Sequence, residues 1–298
     1  MSKTVDLELN EIGVEAAAGL REMLKSAING APVSMYSVAE PITWKEFSEG
    51  GWDAIGISEA DGGAGATLRD LVAIGHVWGQ SVLPSPLITT IMAKRFSAAA
   101  REYAGPVSFA IKTRSSGELG IIPFGSYGET KVLKNLTGGA DSLVSTSDLQ
   151  ALADDYADSL RLAEGKFETE FTKAAAEELA LVWASEAAGA AFAMLNKAVE
   201  YVKTREQFGQ PIGKFQIIKH YLADAQMLVE LAETATMMGA LDEKMRRDSA
   251  IYAFDASIKV IETAIQVHGG LGFTWEMGIH VYLRHVTALR DLVLEILN

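Results

Sequence analysis

Apolar residues recur every three to four positions along three stretches in the second half of the chain. This spacing places them on one face of a helix. The stretches are Leu179–Val202, Ile218–Ala235 and Ile251–Ile265. Six of the seven prolines lie between Pro32 and Pro123, and only Pro211 lies beyond, so little interrupts helices there. The pattern predicts three long antiparallel helices and a fourth after Gly272, which together form a bundle.

The first hundred residues also have helical character, broken by a glycine-rich stretch between Glu59 and Gly65. Glycine allows the positive φ angles that tight turns need, and Thr67 is suited to cap a following helix. The stretch lacks the lysine and the spacing of a phosphate-binding P-loop, and no strand precedes it. A plain turn is therefore the preferred interpretation.

The pattern changes between Pro106 and about Glu170, where short, partly β-branched runs alternate with glycine and polar residues. The runs that indicate strands are Val107–Ile111, Leu119–Ile122 and Leu143–Ser147. The sequence therefore predicts a mainly helical protein in three parts. These are an N-terminal helical domain (1–105), a reduced middle β region (106–170) and a C-terminal helical bundle (171–298).

Composition narrows the possible functions. The 298 residues carry a net charge of -13, whereas a nucleic-acid partner would require a basic face. The absence of cysteine excludes disulfides, thiolate metal sites and a cysteine nucleophile. The most apolar stretch, Ala180–Leu195, contains polar residues and is expected to be too short and too polar to span a bilayer. The first residues show no export signal, so we expect a cytoplasmic protein without a membrane partner.

Two segments at predicted helix ends are candidates for ligand binding. The first runs from Thr204 to Gln216 and reads TREQFGQPIGKFQ. Arg205 has a planar, permanently charged guanidinium suited to phosphate oxygens. Gln207 and Gln216 offer polar contacts to a ligand, and Phe208 offers a flat apolar face. An ordinary turn between helices with a surface arginine explains the same residues.

The second segment runs from Gln266 to Phe273 and reads QVHGGLGF. Paired glycines after an apolar-periodic helix form a normal helix end, and they also let a bulky ligand approach the backbone. His268 is preferred as a group that caps the helix end rather than as a catalytic base. The five histidines show no metal-ligand spacing, and the sequence supports no Ser-His-acid arrangement, so no metal is expected.

Together these segments resemble the signatures of the acyl-CoA dehydrogenase family. The first carries the pattern T-R-x-Q-F-G-x-P-I-x-x-F-Q, and the second carries Q-x-x-G-G-x-G-F-T-W-E with Arg284 following. The stretch from Trp52 to Gly65 is similar to an early family motif that contains a Pro-Glu and a glycine pair. The Thr274-Trp275-Glu276 variant is similar to members that act on bulky acyl-CoAs, such as sterol side-chain thioesters, and that often pair two unlike subunits.

The resemblance implies a fold, a reaction and a cofactor. Family members consist of an N-terminal helical domain, a middle β-domain and a C-terminal four-helix bundle. They oxidise acyl-CoA thioesters with FAD, and an electron-transfer flavoprotein then reoxidises the flavin. One subunit holds the flavin ring, and its neighbour holds the pyrophosphate and adenine. The residues implied in this second role are Arg205, Gln207, Phe208, Ile212, Gln216, Gln266, Gly269 and Gly270.

The chain also departs from the family pattern. The middle region is short, and neither the threonine-glutamate-proline loop nor the tryptophan-isoleucine-threonine segment that cradles the flavin ring is found. The catalytic glutamate of most members falls at Val293, and the alternative position on the helix before the arginine falls at Leu179. Glu178 is adjacent, but on a helix it is rotated by about 100°. At the position where many family members have an arginine that contacts CoA, this chain has Ala180.

These departures favour a subunit that supplies the pyrophosphate half of a flavin site to a larger, different partner, because abstraction of the α-proton requires a carboxylate. Catalytic residues in this chain are therefore left unknown. Two alternatives stay open. One is an autonomous dehydrogenase that uses Glu177, Glu178 or Glu295 as a displaced base. The other is a flavin-free scaffold that kept the helical fold for assembly.

Overall fold

The computed structural model describes residues 9–28, 41–114, 117–135, 143–145, 149–152, 158–166 and 168–298. Its larger helices are α1 (Glu11–Ile28), α2 (Trp44–Glu49), α3 (Leu68–Gly79), α4 (Leu87–Phe96), α5 (Ala98–Glu102), α6 (Lys173–Thr204), α7 (Gln216–Leu241), α8 (Arg246–His268) and α9 (Ile279–Ile296). The described part of the chain is mainly helical, as the apolar periodicity predicts.

Between α5 and α6, the residues that the structure describes form seven short strands, namely β1 (Val107–Phe109), β2 (Ile111–Lys112), β3 (Gly120–Ile122), β4 (Lys131–Leu133), β5 (Leu143–Ser145), β6 (Gln150–Ala151) and β7 (Ala163–Gly165). They form one sheet in the order β1-β4-β5 and a second in the order β2-β3-β7-β6. β1 and β4 are parallel, whereas the other pairs in these two sheets are antiparallel. All three predicted strand runs contain strands, and the residues 146–147 of the third run lie outside the described residues.

The four long helices α6 to α9 correspond to the three predicted apolar stripes and the helix predicted after Gly272. α6 packs against α3, α7, α8 and α9, and it is buried along most of its length. By length and composition this helix is apolar enough to cross a membrane, so the expectation that the stretch is too short was wrong. However, 83% of its most apolar window is buried inside the protein, as in a core helix.

The predicted turns also have the expected chemistry. Thr67 caps α3, and its side chain and that of Asp70 form a capping box. Gly62 and Gly65 have φ angles of 86° and 76°, a region that glycine adopts without steric cost. The predicted glycine-rich stretch is thus a turn that leads into a capped helix.

Glycines bring α3 and α6 unusually close together. A Cβ added at Gly189 on α6 would lie 1.9 Å from the carbonyl oxygen of His76 on α3, and one at Gly79 would lie 1.8 Å from the carbonyl oxygen of Glu186. No side chain fits at these distances, so the backbones themselves form the contact. The alanine-rich run around Gly189 therefore serves close helix packing.

We expect Gly189→Ala to lower the free energy of unfolding by about 1–3 kcal/mol, because the added methyl group forces α3 and α6 apart. Thermal or urea unfolding measures this loss. The matched control is Asn196→Ala on the exposed side of the same helix. If Gly189→Ala instead stabilised the protein, as helix propensity alone would dictate, the close backbone contact would be refuted.

Candidate functional site

The two candidate segments lie at the same end of the helical bundle. Tyr201, in the last turn of α6, stacks on His268, the last residue of α8, with ring centroids 4.3 Å apart and planes inclined by 24°. Near the same end, the Lys197 amine of α6 donates to the carbonyl oxygen of Met277, just before α9. The arginine segment follows Tyr201 directly and the glycine turn follows His268, so the fold brings the two motifs together.

The arginine segment is a tight β-hairpin rather than a simple turn. Strands β8 (Glu206–Gln207) and β9 (Gln210–Pro211) pair, and the turn between them contains Phe208 and Gly209 with φ angles of 53° and 78°. A positive φ is costly for an aromatic residue. The hairpin thereby projects Phe208 into solvent, where its side chain is 94% exposed.

Arg205 joins α6 to this hairpin. Its backbone N–H donates to the carbonyl oxygen of Tyr201 at 2.9 Å, and its own carbonyl oxygen accepts from the N–H of Ile212 at 2.8 Å. The side chain is exposed, and no acidic group pairs with its guanidinium within the described ranges. A fixed backbone with an unpaired cation is suited to an anionic ligand.

The remaining predicted residues of this segment are also accessible. Gln207 and Gln216 are exposed, and Ile212 is half-buried at the start of a 3-10 turn that precedes α7. The Gln207 side-chain amide donates to the neighbouring carbonyl oxygen of Glu206 at 2.6 Å. Its amide is therefore able to exchange this local contact for a ligand.

The glycine turn leaves open space beside the backbone. Gly269 ends α8 with a φ of 61°, and a Cβ added at either Gly269 or Gly270 would meet nothing within 4 Å. Both glycines and the preceding Gln266 are exposed. The glycines therefore provide the close access to the backbone that a large ligand requires.

A second polar cluster is buried inside the protein. Ser159 contacts Nδ1 of His285 at 2.8 Å, and Nε2 of His285 contacts Oε1 of Glu186 at 2.8 Å. The sequence showed no such arrangement, because the three residues are far apart along the chain. All three are buried, with exposed fractions of 4%, 0% and 2%. This contact joins the β region, α9 and α6, and its burial makes it a structural link.

The same cluster sets the register between α6 and α9. Leu179 lies seven residues before Glu186, and Val293 lies eight residues after His285. At 1.5 Å per residue, Leu179 lies about 10 Å from Glu186 along α6, and Val293 lies about 12 Å from His285 along α9. Because the two helices are antiparallel, both displacements point in the same direction, so Leu179 and Val293 lie at a similar level of the bundle. Both belong to one hydrophobic core and are fully buried. The two positions where the resemblance places a catalytic glutamate are thus both apolar, and they lie at a similar level along the bundle axis.

The three alternative glutamates differ in their surroundings. Glu178 is held between Arg95 at 2.9 Å and Arg246 at 3.6 Å, so both carboxylate oxygens face guanidinium groups. Glu177 is buried, and its Oε2 has no hydrogen-bond partner in the described part of the chain.

Glu295 is more accessible. It lines a cleft of about 510 Å³ between the β region and α9, and its Oε1 accepts from the backbone N–H of Arg114 at 3.1 Å. Across the described residues, no group of three or more His, Cys, Asp or Glu side chains is arranged to hold a metal ion.

Residues 169–291 match the family described as acyl-CoA dehydrogenase, C-terminal domain. The acyl-CoA dehydrogenase IpdE2 of Mycobacterium tuberculosis is 32% identical over 254 residues, which cover 80% of this chain and 78% of that protein. Among solved structures, the ChsE4–ChsE5 complex of Mycobacterium tuberculosis aligns with a TM-score of 0.79 and 17% identity over 98% of this chain and 96% of the other. The Tcur3481–Tcur3483 steroid ACAD aligns with a TM-score of 0.77 and 19% identity over 95% and 93%.

These similarities confirm the predicted fold and the FAD cofactor of the family. The exposed arginine hairpin and the open glycine turn fit such a dinucleotide, because they combine an unpaired cation with unobstructed backbone. The roles of the individual residues stay a prediction. On its sequence similarity and its fold, this chain belongs to the acyl-CoA dehydrogenase family.

Proposed function

We propose that this chain is a subunit of an FAD-dependent acyl-CoA dehydrogenase that contributes the pyrophosphate and adenine half of the flavin site to a larger partner. One contrast carries the proposal. The arginine hairpin and glycine turn lie together and open to solvent, whereas both positions of the family's base are filled by buried Leu179 and Val293.

The half-site is suited to a diphosphate and its nucleoside. Arg205 would neutralise phosphate charge, and the backbone at Gly269 and Gly270 would come close to the dinucleotide. Gln207, Gln216 and Gln266 would contact its polar edges, while Phe208 and Ile212 would pack against its apolar surfaces. When bound, FAD supplies the acceptor for the hydride that leaves the β-carbon of the thioester.

The base must then come from elsewhere. The α-proton of a thioester is weakly acidic, so its removal needs a carboxylate within hydrogen-bond distance. Leu179 and Val293 have no titratable group, and Glu178 is engaged by two arginines. A partner subunit that carries the glutamate, the flavin ring and the acyl pocket completes the reaction.

Exposed apolar side chains beside the half-site support a protein partner. Phe208 is 94% exposed, and Ile217 and Tyr221 on the first turns of α7 are 56% and 44% exposed. Apolar groups clustered in this way mark interaction surfaces more often than isolated ones do. The similar ChsE4–ChsE5 structure is described as a complex of two components, which agrees with a heteromer.

The proposed substrate is a bulky acyl-CoA, such as a thioester of a steroid side chain. The Thr274-Trp275-Glu276 variant and the similarity to a protein described as a steroid ACAD support this choice. The proposal also includes a cytoplasmic location and an electron-transfer flavoprotein as the acceptor of the reducing equivalents.

Arg205→Ala is expected to weaken FAD retention in the assembled complex about 10–100-fold, because a charge-assisted contact to phosphate contributes about 1.5–3 kcal/mol. The measurement is the flavin content of the complex after dialysis, together with the dissociation constant for added FAD. Arg205→Lys should recover part of the loss.

Lys203→Ala is the matched control, because Lys203 is an exposed cation two residues away that pairs with Glu200. This variant should retain FAD like the unmodified complex. Equal retention by Arg205→Ala and the unmodified complex would refute the half-site.

Glu295 supports a second candidate, the autonomous dehydrogenase, because this carboxylate lines a cleft beside α9. The proposed function predicts little loss of turnover when each of these glutamates is replaced singly, as in Glu177→Gln, Glu178→Gln and Glu295→Gln. The turnover of each complex should stay within about threefold of the unmodified value, whereas removal of a general base would lower it by ~10²–10⁴-fold. Turnover of a bulky acyl-CoA with an artificial electron acceptor measures this. Loss of turnover with full flavin content in one of these variants would identify a base in this chain.

The flavin-free scaffold predicts a different spectrum. A complex of this chain and its partner that never shows flavin absorbance would favour the scaffold over both enzyme proposals. Co-expression with a neighbouring dehydrogenase gene, followed by an absorption spectrum of the purified complex, distinguishes them.

A further inference from the structure

The stacked rings of Tyr201 and His268 join the helix ends that lead into the two halves of the candidate site. The carbonyl oxygen of Tyr201 accepts the backbone N–H of Arg205 at 2.9 Å, and Gly269 follows His268 in the chain. The 4.3 Å stack therefore links the residue that holds Arg205 to the residue that precedes the glycine turn.

The environment of His268 fixes which ring nitrogen carries the proton. Nδ1 lies 2.7 Å from the carbonyl oxygen of Ala264, so it is the N–H donor. Nε2 is buried and has no hydrogen-bond partner in the described part of the chain. In the neutral ring this nitrogen bears only a lone pair. A second proton there would place a buried cation without an acceptor.

The surrounding charges also oppose a second proton. Burial lowers the pKa of His268, the hydrogen bond to Ala264 opposes this effect, and the positive charge of Lys197 lowers the pKa again. Lys197 and Tyr201 are the titratable groups that α6 presents here, and the turn Gly269–Phe273 has none. Within the described ranges, no acidic group of α7 or α9 contributes to this environment.

We propose that Tyr201 and His268 are positioning residues for FAD, and that protonation of His268 loosens the half-site. The charged ring has no acceptor for its buried Nε2–H among the described residues, so it moves toward water and leaves the stack. This inference rests on the proposed function, because it concerns how the chain holds the same dinucleotide. Under this proposal FAD retention is acid-sensitive, and the residue responsible contacts neither the flavin ring nor the substrate.

The direction of the pH effect follows from the lowered pKa. The unfolded chain has an ordinary histidine pKa of about 6.5, and the folded chain has a lower one. Between these values the unfolded state binds more protons, so stability falls as pH falls. The contribution of His268 is complete above about pH 6.5 and is lost as the pH decreases toward its folded pKa.

Nuclear magnetic resonance of the full chain with ¹⁵N-labelled histidine tests the ring directly. The His268 signal, assigned by its absence in His268→Phe, should show a proton on Nδ1 alone at pH 7 and titrate below 6.5. Tyr201→Leu should move this titration toward the ordinary value, whereas Tyr201→Phe should not. An ordinary titration in the unmodified chain would overturn the proposal.

FAD retention by the complex, measured from pH 7.5 to pH 5, tests the consequence. At pH values where the resonance titration shows His268 to be protonated, the unmodified complex should bind FAD about fivefold more weakly than at pH 7.5, the loss expected for about 1 kcal/mol of an aromatic contact. His268→Phe keeps the stack without a titratable group, so its retention should vary less with pH. His268→Leu should be weak at every pH.

Two results would contradict the role of the stack. One is a His268→Phe complex as acid-sensitive as the unmodified one, and the other is a His268→Leu complex that retains FAD normally. Failure of the half-site itself is distinguishable, because Arg205→Ala would then have no effect at any pH. The resonance titration of the chain alone would still report whether Tyr201 controls His268.

Discussion

The packing of α6 into the centre of the protein is the constraint on which the other features depend. The helix contacts α3, α7, α8 and α9, and its backbone meets that of α3 without intervening side chains at Gly189. Such close contact opposes sliding and rotation of α6 against α3. Its two ends are therefore held in fixed positions relative to the bundle, one at Arg205 and the other beside the β region.

The two ends of α6 differ in the chemistry that they offer. Its C-terminal end leads to an exposed cation and a hairpin, and it faces the open glycine turn of α8. Its N-terminal half presents Leu179 to a closed apolar core at the level of Val293. Under the proposed function, the exposed end of the helix holds the dinucleotide, and the apolar core at Leu179 and Val293 is the physical reason for assigning the base to a partner.

Two side-chain contacts hold the helices together at different levels of the bundle. The contact from Ser159 through His285 to Glu186 joins the β region to α9 and α6 in the interior, where an unpaired partner would cost about 1–3 kcal/mol. At the end of the bundle, the stack of Tyr201 on His268 joins α6 to α8. The first contact fixes register, and the second lies directly under the candidate cofactor site.

Local patterns were sufficient to predict the elements of this protein. Apolar spacing predicted the four long helices, β-branched runs predicted β1, β3 and β5, and Thr67 predicted a helix start, because each depends on residues close together in the chain. The arginine and glycine segments were also visible as motifs. β2 overlaps the first predicted run only at Ile111, and β4, β6 and β7 were missed, because no β-branched run marks them and their pairing partners are distant in the chain.

Only the tertiary structure decided which distant residues meet. No local signal connects Tyr201 to His268, or Ser159 to Glu186 through His285, because these contacts depend on the register of antiparallel helices. The sequence alone determined which residues have the chemistry to hold a dinucleotide and which positions lack a carboxylate. Helix packing decided that the two candidate motifs share one end of the bundle and that Leu179 and Val293, the positions where the resemblance places a base, lie within one closed core.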